Sequence, residues 1–115
     1  MADPQRDAAR RRGWELFEPV AAPYLARAGV DIGRMFGSEG LRVRGKVFAF
    51  LGFDGDLVVK VPAGRSEELC ATTPATRMLM RGREMREWLV LRQEDAGFWP
   101  DAVAEAYAYL DRITP

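Results

Sequence analysis

Alternation of apolar and polar residues predicts three neighbouring β-strands in the middle of the chain. Residues 41–44 (LRVR) alternate with a period of two, which is typical of a half-buried strand. Lys46–Leu51 is apolar at nearly every position, so we expect a central strand that is covered on both faces. The turn signal Asp54-Gly55 precedes a third predicted strand over residues 57–61. These patterns predict a three-strand antiparallel meander.

A second hairpin is predicted further along the chain. An apolar run at residues 78–80 is followed by Arg-Gly-Arg at residues 81–83, and a second apolar run occupies residues 88–91. Glycine between two such runs is typical of a tight β-turn. We expect the return strand of this hairpin to join the sheet of the meander.

Apolar residues at steps of three and four predict helices towards both ends of the chain. Asp3 is the expected N-cap of the first helix, and Pro4 is its expected first helical residue. Pro19 and Pro23 each lack an N–H and crowd the preceding turn. We therefore predict a helix to about Phe17, a break, and then a short second helix.

The clearest helical pattern lies near the C-terminus. A shorter helix precedes it, predicted over residues 65–71 with Leu69 and Cys70 facing inward. The apolar stripe of the C-terminal helix is formed by Trp99, Val103, Ala106, Leu110 and Ile113.

The central strand raises the question of what covers each sheet face. Strict alternation places Phe48 and Phe50 on one face and Val47, Ala49 and Leu51 on the other. The two terminal helices can cover one face, but the pattern leaves open whether the short helix covers the other. A bare apolar face would be a protein-association surface or a dimer interface, and ordinary core packing is the alternative.

Length and charge fit one domain without a global electrostatic bias. We predict a single α+β domain over residues 1–115, in which an antiparallel β-sheet (meander plus hairpin) packs with N-terminal and C-terminal helices. Seventeen basic residues balance seventeen acidic ones, so no overall field favours nucleic acid or membrane. No apolar stretch approaches the length of a membrane span. A cytoplasmic location is the expectation.

Several kinds of catalysis lack their usual residues. The chain has no histidine, and Cys70 is its one cysteine, so the common general base, His-paired nucleophiles and multi-thiolate metal sites are absent. Residues 40–47 match the P-loop spacing except at Val47, where the magnesium-binding hydroxyl should stand. Local carboxylate pairs are expected to be caps and surface charges: Glu67-Glu68, Glu94-Asp95 and Asp54 with Asp56. We predict no enzyme activity, no metal and no cofactor.

Basic residues surround both predicted hairpin turns. Two basic tips could contact a phosphate backbone as a pair of wings. Charged residues are also common in exposed turns that bind nothing. The zero net charge favours this second interpretation over nucleic-acid binding. The candidate nucleic-acid contacts are Arg42, Arg44, Lys46, Arg77, Arg81, Arg83 and Arg86.

A family resemblance covers most of the chain. The chain resembles the TfoX N-terminal domain family in the runs Arg34-Met35-Phe36-Gly37, Gly40-Leu41, Gly45-Lys46-Val47-Phe48-Ala49, Asp54-Gly55 with Leu57 and Lys60, and Gly82-Arg83-Glu84-Met85-Arg86-Glu87-Trp88. Within these runs the motif residues are Met35, Phe36, Gly37, Gly40, Gly45, Lys46, Gly82, Met85 and Trp88. Ser38 and Glu84 depart from the residues common at those positions in the family.

The resemblance implies an α+β fold with a central antiparallel sheet and a non-enzymatic regulatory or adaptor role. Full-length TfoX proteins add a C-terminal helical domain and regulate competence genes, whereas this sequence covers the first domain. The similar YjbR-type proteins, often labelled DNA-binding, imply the nucleic-acid alternative. We expect a protein partner and a monomer or homodimer, and a small-ligand pocket between helix and sheet is a third hypothesis.

Overall fold

A computed structural model describes residues 4–35, 38–52 and 54–115. The helices are α1 (Pro4–Leu25), α2 (Ala63–Thr72) and α3 (Trp99–Ile113), with a 3₁₀ segment over Gln93–Phe98. The strands are β1 (Val30–Met35), β2 (Ser38–Val43), β3 (Lys46–Leu51), β4 (Leu57–Lys60), β5 (Thr76–Met80) and β6 (Arg83–Leu91). The predicted N-cap Asp3 lies outside the described residues.

All six strands form one antiparallel sheet in the order β1-β2-β3-β4-β6-β5. This confirms the α+β class and both parts of the predicted sheet, the meander of β2, β3 and β4 and the hairpin of β5 and β6. Strand β1 was not predicted. Its sequence, VDIGRM, does alternate apolar and polar residues up to Gly33, which is the signal that could have identified it.

The three helices pack on one face of the sheet, and the hydrophobic core lies between them and that face. Leu41 of β2, Leu51 of β3, Val59 of β4 and Leu89 of β6 belong to the core together with helix residues. The helix residues that join them from α1 and α3 are Phe17, Ala21, Trp99, Ala102, Val103, Ala106 and Leu110. The stripe predicted for α3 is thereby confirmed, except that Ile113 is exposed.

Helix α2 also packs on the core side, beside α3. The Arg65 Nε donates to Glu105 Oε1 of α3 at 2.7 Å, and the Ser66 hydroxyl donates to the Arg86 carbonyl oxygen of β6 at 2.6 Å. Leu69 and Cys70 are half-buried against the core, as expected. Because α2 lies on this side, no helix in the described part of the chain covers the opposite face.

The predicted break in the N-terminal helix is wrong. Helix α1 continues through Pro19 and Pro23 to Leu25. Both prolines are exposed and, being four residues apart, lie on one face of the helix. The carbonyl oxygens that lose their intrahelical partners therefore face solvent, where water can bind them. The buried face keeps its packing through Phe17 and Ala21.

The predicted pairing of Phe48 with Phe50 on one sheet face is also wrong. Leu41 pairs with Ala49 and Arg42 pairs with Val47, so Phe48 is an extra residue in a β-bulge. Phe48 therefore points into the core with Ala49, and its ring contacts the rings of Tyr24 and Tyr107 from the helix layer. Phe50 lies on the opposite face.

Candidate protein-binding surface

The face of the sheet away from the helices has an apolar centre, which we call the open face. Its residues follow cross-strand pairs: Phe50 with Val58, Val58 with Val90, and Lys60 with Trp88. Phe50 and Val58 are only 4% and 3% exposed, whereas Val90 and Trp88 are half-buried. The centre is thus closed by its own neighbours, and its rim offers apolar surface to solvent.

Trp88 anchors the rim of the open face. Its ring meets Phe50 edge-on, with centroids 5.6 Å apart and planes at 67°. The Lys60 ammonium lies 5.4 Å from the Trp88 ring centre and 3.8 Å from a Glu87 carboxylate oxygen. These contacts fix the position of the indole on the sheet face, in the kind of geometry that favours aromatic and cation–π attraction.

Two glycines leave room for neighbouring side chains on the β1–β2 side of the open face. A Cβ on Gly40 would lie 2.8 Å from the Phe50 Cβ and 3.1 Å from the Ala49 carbonyl oxygen. A Cβ on Gly33 would collide with the Arg42 guanidinium, which crosses the strand at that point. The absence of side chains at both positions is therefore what lets Phe50 and Arg42 lie across neighbouring strands.

Arg42 is held within the sheet and is not available as a phosphate contact. Its Nε and Nη2 donate to the two carboxylate oxygens of Asp31 at 2.9 and 2.6 Å. This bidentate pair lowers the pKa of Asp31, first through the hydrogen bonds from Arg42. The pair places the charge of Asp31 on edge strand β1, with the Arg42 side chain of β2 beside it, a feature that discourages pairing with another strand.

Arg44, at the first position of the β2–β3 turn, stabilises the C-terminus of α3. Its Nη2 donates to the Asp111 carbonyl oxygen at 2.8 Å, to Asp111 Oδ1 at 2.9 Å and to the Thr114 carbonyl oxygen at 2.9 Å. Its Nε donates to the Pro115 carbonyl oxygen at 3.1 Å. A cation on these terminal carbonyls also complements the helix dipole, so Arg44 has a structural role.

Arg77 is likewise committed to internal contacts. Its Nε donates to the Ser66 hydroxyl at 3.1 Å, and its Nη2 donates to the Ala63 carbonyl oxygen at 3.4 Å. A longer ion pair of 3.5 Å joins it to Glu84. Three of the seven candidate nucleic-acid contacts are therefore occupied within the fold.

The other four candidates are exposed at one end of the sheet. The side chains of Lys46, Arg81, Arg83 and Arg86 make no hydrogen bond or ion pair with the described residues. Antiparallel pairing in the observed strand order places the β2–β3 turn and the β5–β6 turn at the same end of the sheet. The sequence therefore identified four accessible cations, and the fold places their turns at one end of the strands.

The tip of the β5–β6 hairpin carries Leu79, the most exposed large apolar residue among the described strands. Leu79 is 66% exposed and Met80 is 37% exposed. Met78 pairs with Met85, and both are half-buried. Flexible, polarisable methionine side chains adapt to varied partners and are common at binding surfaces.

The family-motif residues are spread over the sheet. Phe36 and Gly37 lie outside the described residues, and Met35 ends β1. Gly45 and Gly82 occupy hairpin turns with positive φ, and Lys46 begins β3. Gly40 and Trp88 meet at the open face through Phe50, and Met85 is on the same hairpin as Trp88.

The residues weighed for catalysis do not assemble into a site. Residues 40–47 form a β-hairpin, as their alternation predicted. Asp56 accepts a hydrogen bond from the Gln93 backbone N–H at 3.2 Å, and burial raises the pKa of its carboxyl. Within residues 4–35, 38–52 and 54–115, no group of three or more potential metal ligands is found. No helix in those ranges is long and apolar enough to span a membrane.

A small cavity lies where the third hypothesis expected one, between helices and sheet. It has a volume of about 230 Å³, lies between α2 and α3, and has Leu69, Leu91 and Phe98 among its walls. Arg65 and Glu105 both line it and are paired with each other. Leu89, which also lines it, is fully buried in the core.

Comparisons with protein-family models, curated proteins and solved structures found no match. The resemblance to the TfoX N-terminal domain stays a prediction. Sequence reasoning missed that Val58 and Val90 form the open face with Phe50. The signal was the alternation along each strand: Val58 is next to Val59 in β4 and Val90 is next to Leu89 in β6, so each points to the face opposite its core neighbour.

Proposed function

We propose that this domain is a non-enzymatic, cytoplasmic regulatory or adaptor module of the TfoX N-terminal type that acts through protein contacts. The observation that carries the proposal is the position of all three helices on one face of the sheet. The opposite face keeps an apolar centre and a half-buried rim of Val47, Val90 and Trp88. Apolar side chains at the rim of a sheet face that no described helix covers fit an association site.

A capture experiment with matched variants tests this proposal. Val90→Lys and Val47→Lys place a charge on the open face from two different strands, and Ala108→Lys places the same charge on an exposed position of α3. We expect a partner protein that is recovered with the native chain and with Ala108→Lys but lost with both open-face variants. Circular dichroism establishes that each variant is folded.

Equal recovery by all folded variants, or no recovered partner, would contradict the proposal. Sedimentation of the purified chain separates the homodimer from a different partner. A dimer that dissociates in the open-face variants alone would identify a second copy as the partner.

Nucleic-acid binding is the second candidate. It is favoured by Lys46, Arg81, Arg83 and Arg86, whose side chains have no partner among the described residues and whose turns lie at one end of the sheet. If it holds, duplex DNA binds at low salt, and Arg81→Gln with Arg83→Gln reduces the slope of affinity against salt concentration by about one per lost phosphate contact. Arg92→Gln is the matched control, because Arg92 is exposed, is paired with Glu94, and follows β6 at the opposite end of the sheet. Absence of binding at low salt would exclude this candidate.

A further inference from the structure

The β5–β6 hairpin extends beyond the main sheet as a two-stranded arm, defined here as residues 78–85. Strand β6 pairs with β4 only from Trp88 to Leu91. Towards the turn, the register jumps from the pair Arg77–Leu89 to the pair Met78–Met85. Beyond that jump, β5 is the only strand beside β6 among the described residues. Isolated two-stranded hairpins are marginally stable, so the arm would gain stability from a third strand.

Strand β5 is an edge that lacks two of the usual protections against pairing. Natural edges are protected by proline, by outward charges, by bulges, by short length or by covering elements. Strand β5 has no proline, and its one charged residue, Arg77, turns back to Ser66. The irregularity between β5 and β6 lies at Arg77 and Met78, and the pairing is regular from Met78 to Met80. The other edge, β1, differs because its Asp31 is paired with Arg42 of β2. The part of β5 from Met78 to Met80, with exposed Leu79, is a template for an added strand.

The charge around the arm selects an acidic partner. Arg81, Arg83 and Arg86 are exposed and make no ion pair within the described residues. Both acids of β6 are engaged, since Glu84 pairs with Arg77 and Glu87 pairs with Lys60, and exposed Glu67 of α2 lines the same groove as Arg86. Arg81 and Arg83 at the turn therefore carry the positive charge for which carboxylates of a bound segment would supply partners.

From this combination we infer that the arm binds an extended segment of a partner protein, rich in acidic and apolar residues, as an additional strand on β5. Main-chain hydrogen bonds would give affinity, and alternate side chains would contact Leu79 on one face and Met78 and Met80 on the other. Exposed leucine and methionine favour a protein over nucleic acid, whose interfaces are more polar. The inference rests on the proposed protein-binding function and names the partner's chemistry.

Binding of a short synthetic peptide of alternating glutamate and valine tests the inference directly. Fluorescence anisotropy gives the affinity, and hydrogen exchange of the backbone amides in β5 gives the location. We expect slower exchange in Thr76–Met80 on binding, and affinity about tenfold lower for Arg81→Glu with Arg83→Glu. Arg92→Glu is the control of equal charge change and should leave affinity unaltered. A peptide of alternating lysine and valine should not bind.

Failure of the glutamate peptide to bind, or equal binding of the lysine peptide, would overturn the inference. Binding of duplex DNA to the arm without peptide binding would replace it with the nucleic-acid alternative. The partner loss caused by Val90→Lys tests the proposed function separately, because it does not depend on the peptide.

Discussion

Arg44 and Arg81 have an unusual backbone for arginine. Each is the first central residue of a two-residue hairpin turn, with φ of 46° and 53°, and glycine follows with φ of 86° and 77°. Positive φ at both positions defines a type I′ turn, which normally begins with Asn, Asp or Gly. A side chain with a bulky stem in this region costs about 1 kcal/mol. Only Arg44 has contacts that offset the cost.

Replacing each arginine by asparagine should therefore have opposite effects on stability. Arg81→Asn should raise the free energy of unfolding by about 1 kcal/mol, because Asn-Gly suits the turn and no contact is lost. Arg44→Asn gains the same relief but loses four hydrogen bonds to the C-terminus of α3. We expect a net decrease of about 1 kcal/mol or more. Urea unfolding of both variants measures the difference.

A stabilised Arg44→Asn variant would show that the contacts of Arg44 with α3 contribute little in solution. An Arg81→Asn variant that is more stable but no longer binds the acidic peptide would show that Arg81 is retained for binding at the expense of stability. Natural chains commonly keep such local strain at functional positions.

At the scale of elements, we predict that the two prolines inside α1 lower the stability of the domain. Proline in a helix interior is less favourable than alanine by about 3 kcal/mol in simple hosts. Pro19 and Pro23 are exposed, so replacing either removes no core contact. We expect Pro19→Ala to raise the free energy of unfolding by roughly 1–3 kcal/mol, partly reduced because proline also restricts the unfolded chain.

Pro100→Ala is the matched control for this prediction. Pro100 lies in the first turn of α3, where proline has no N–H bond to lose. Its replacement should leave stability unchanged or slightly lower. If urea unfolding showed the same change for Pro19→Ala and Pro100→Ala, the two prolines of α1 would not be strained.

The same elements show how far sequence could predict this fold. Apolar patterns identified β2 by its alternation, β3 and β4 by apolar runs next to turn signals, the β5–β6 hairpin by two apolar runs around a glycine, and α3 by its stripe. These patterns failed at Phe48, because a bulge adds one residue and reverses the alternation without any local signal. The sequence also predicted a break in α1 that the structure does not have. The rule that proline interrupts a helix does not include where the freed carbonyl oxygens point, and here they face solvent. The open face depended on where α2 packs, which only tertiary structure determines.

At the scale of the whole molecule, one sheet supports two different surfaces. Trp99 is fully buried in the helix layer, and Trp88 lies half-buried on the open face. The strands that carry the core also carry Phe50 and Val58, so the open face cannot unfold while the core remains. This predicts a single cooperative transition, as is usual for a domain of this size.

Single-tryptophan variants measure that cooperativity on each side of the sheet. Trp14→Phe with Trp99→Phe leaves Trp88 as the probe, and Trp14→Phe with Trp88→Phe leaves Trp99. In each variant, the urea midpoint from fluorescence should coincide with the midpoint from far-ultraviolet circular dichroism. The internal comparison removes any effect of the substitutions on stability itself. A Trp88 transition at lower urea would show that the open face loosens first and that binding there requires ordering. Coincident transitions would mean that a partner meets a preformed surface, which lowers the entropic cost of association.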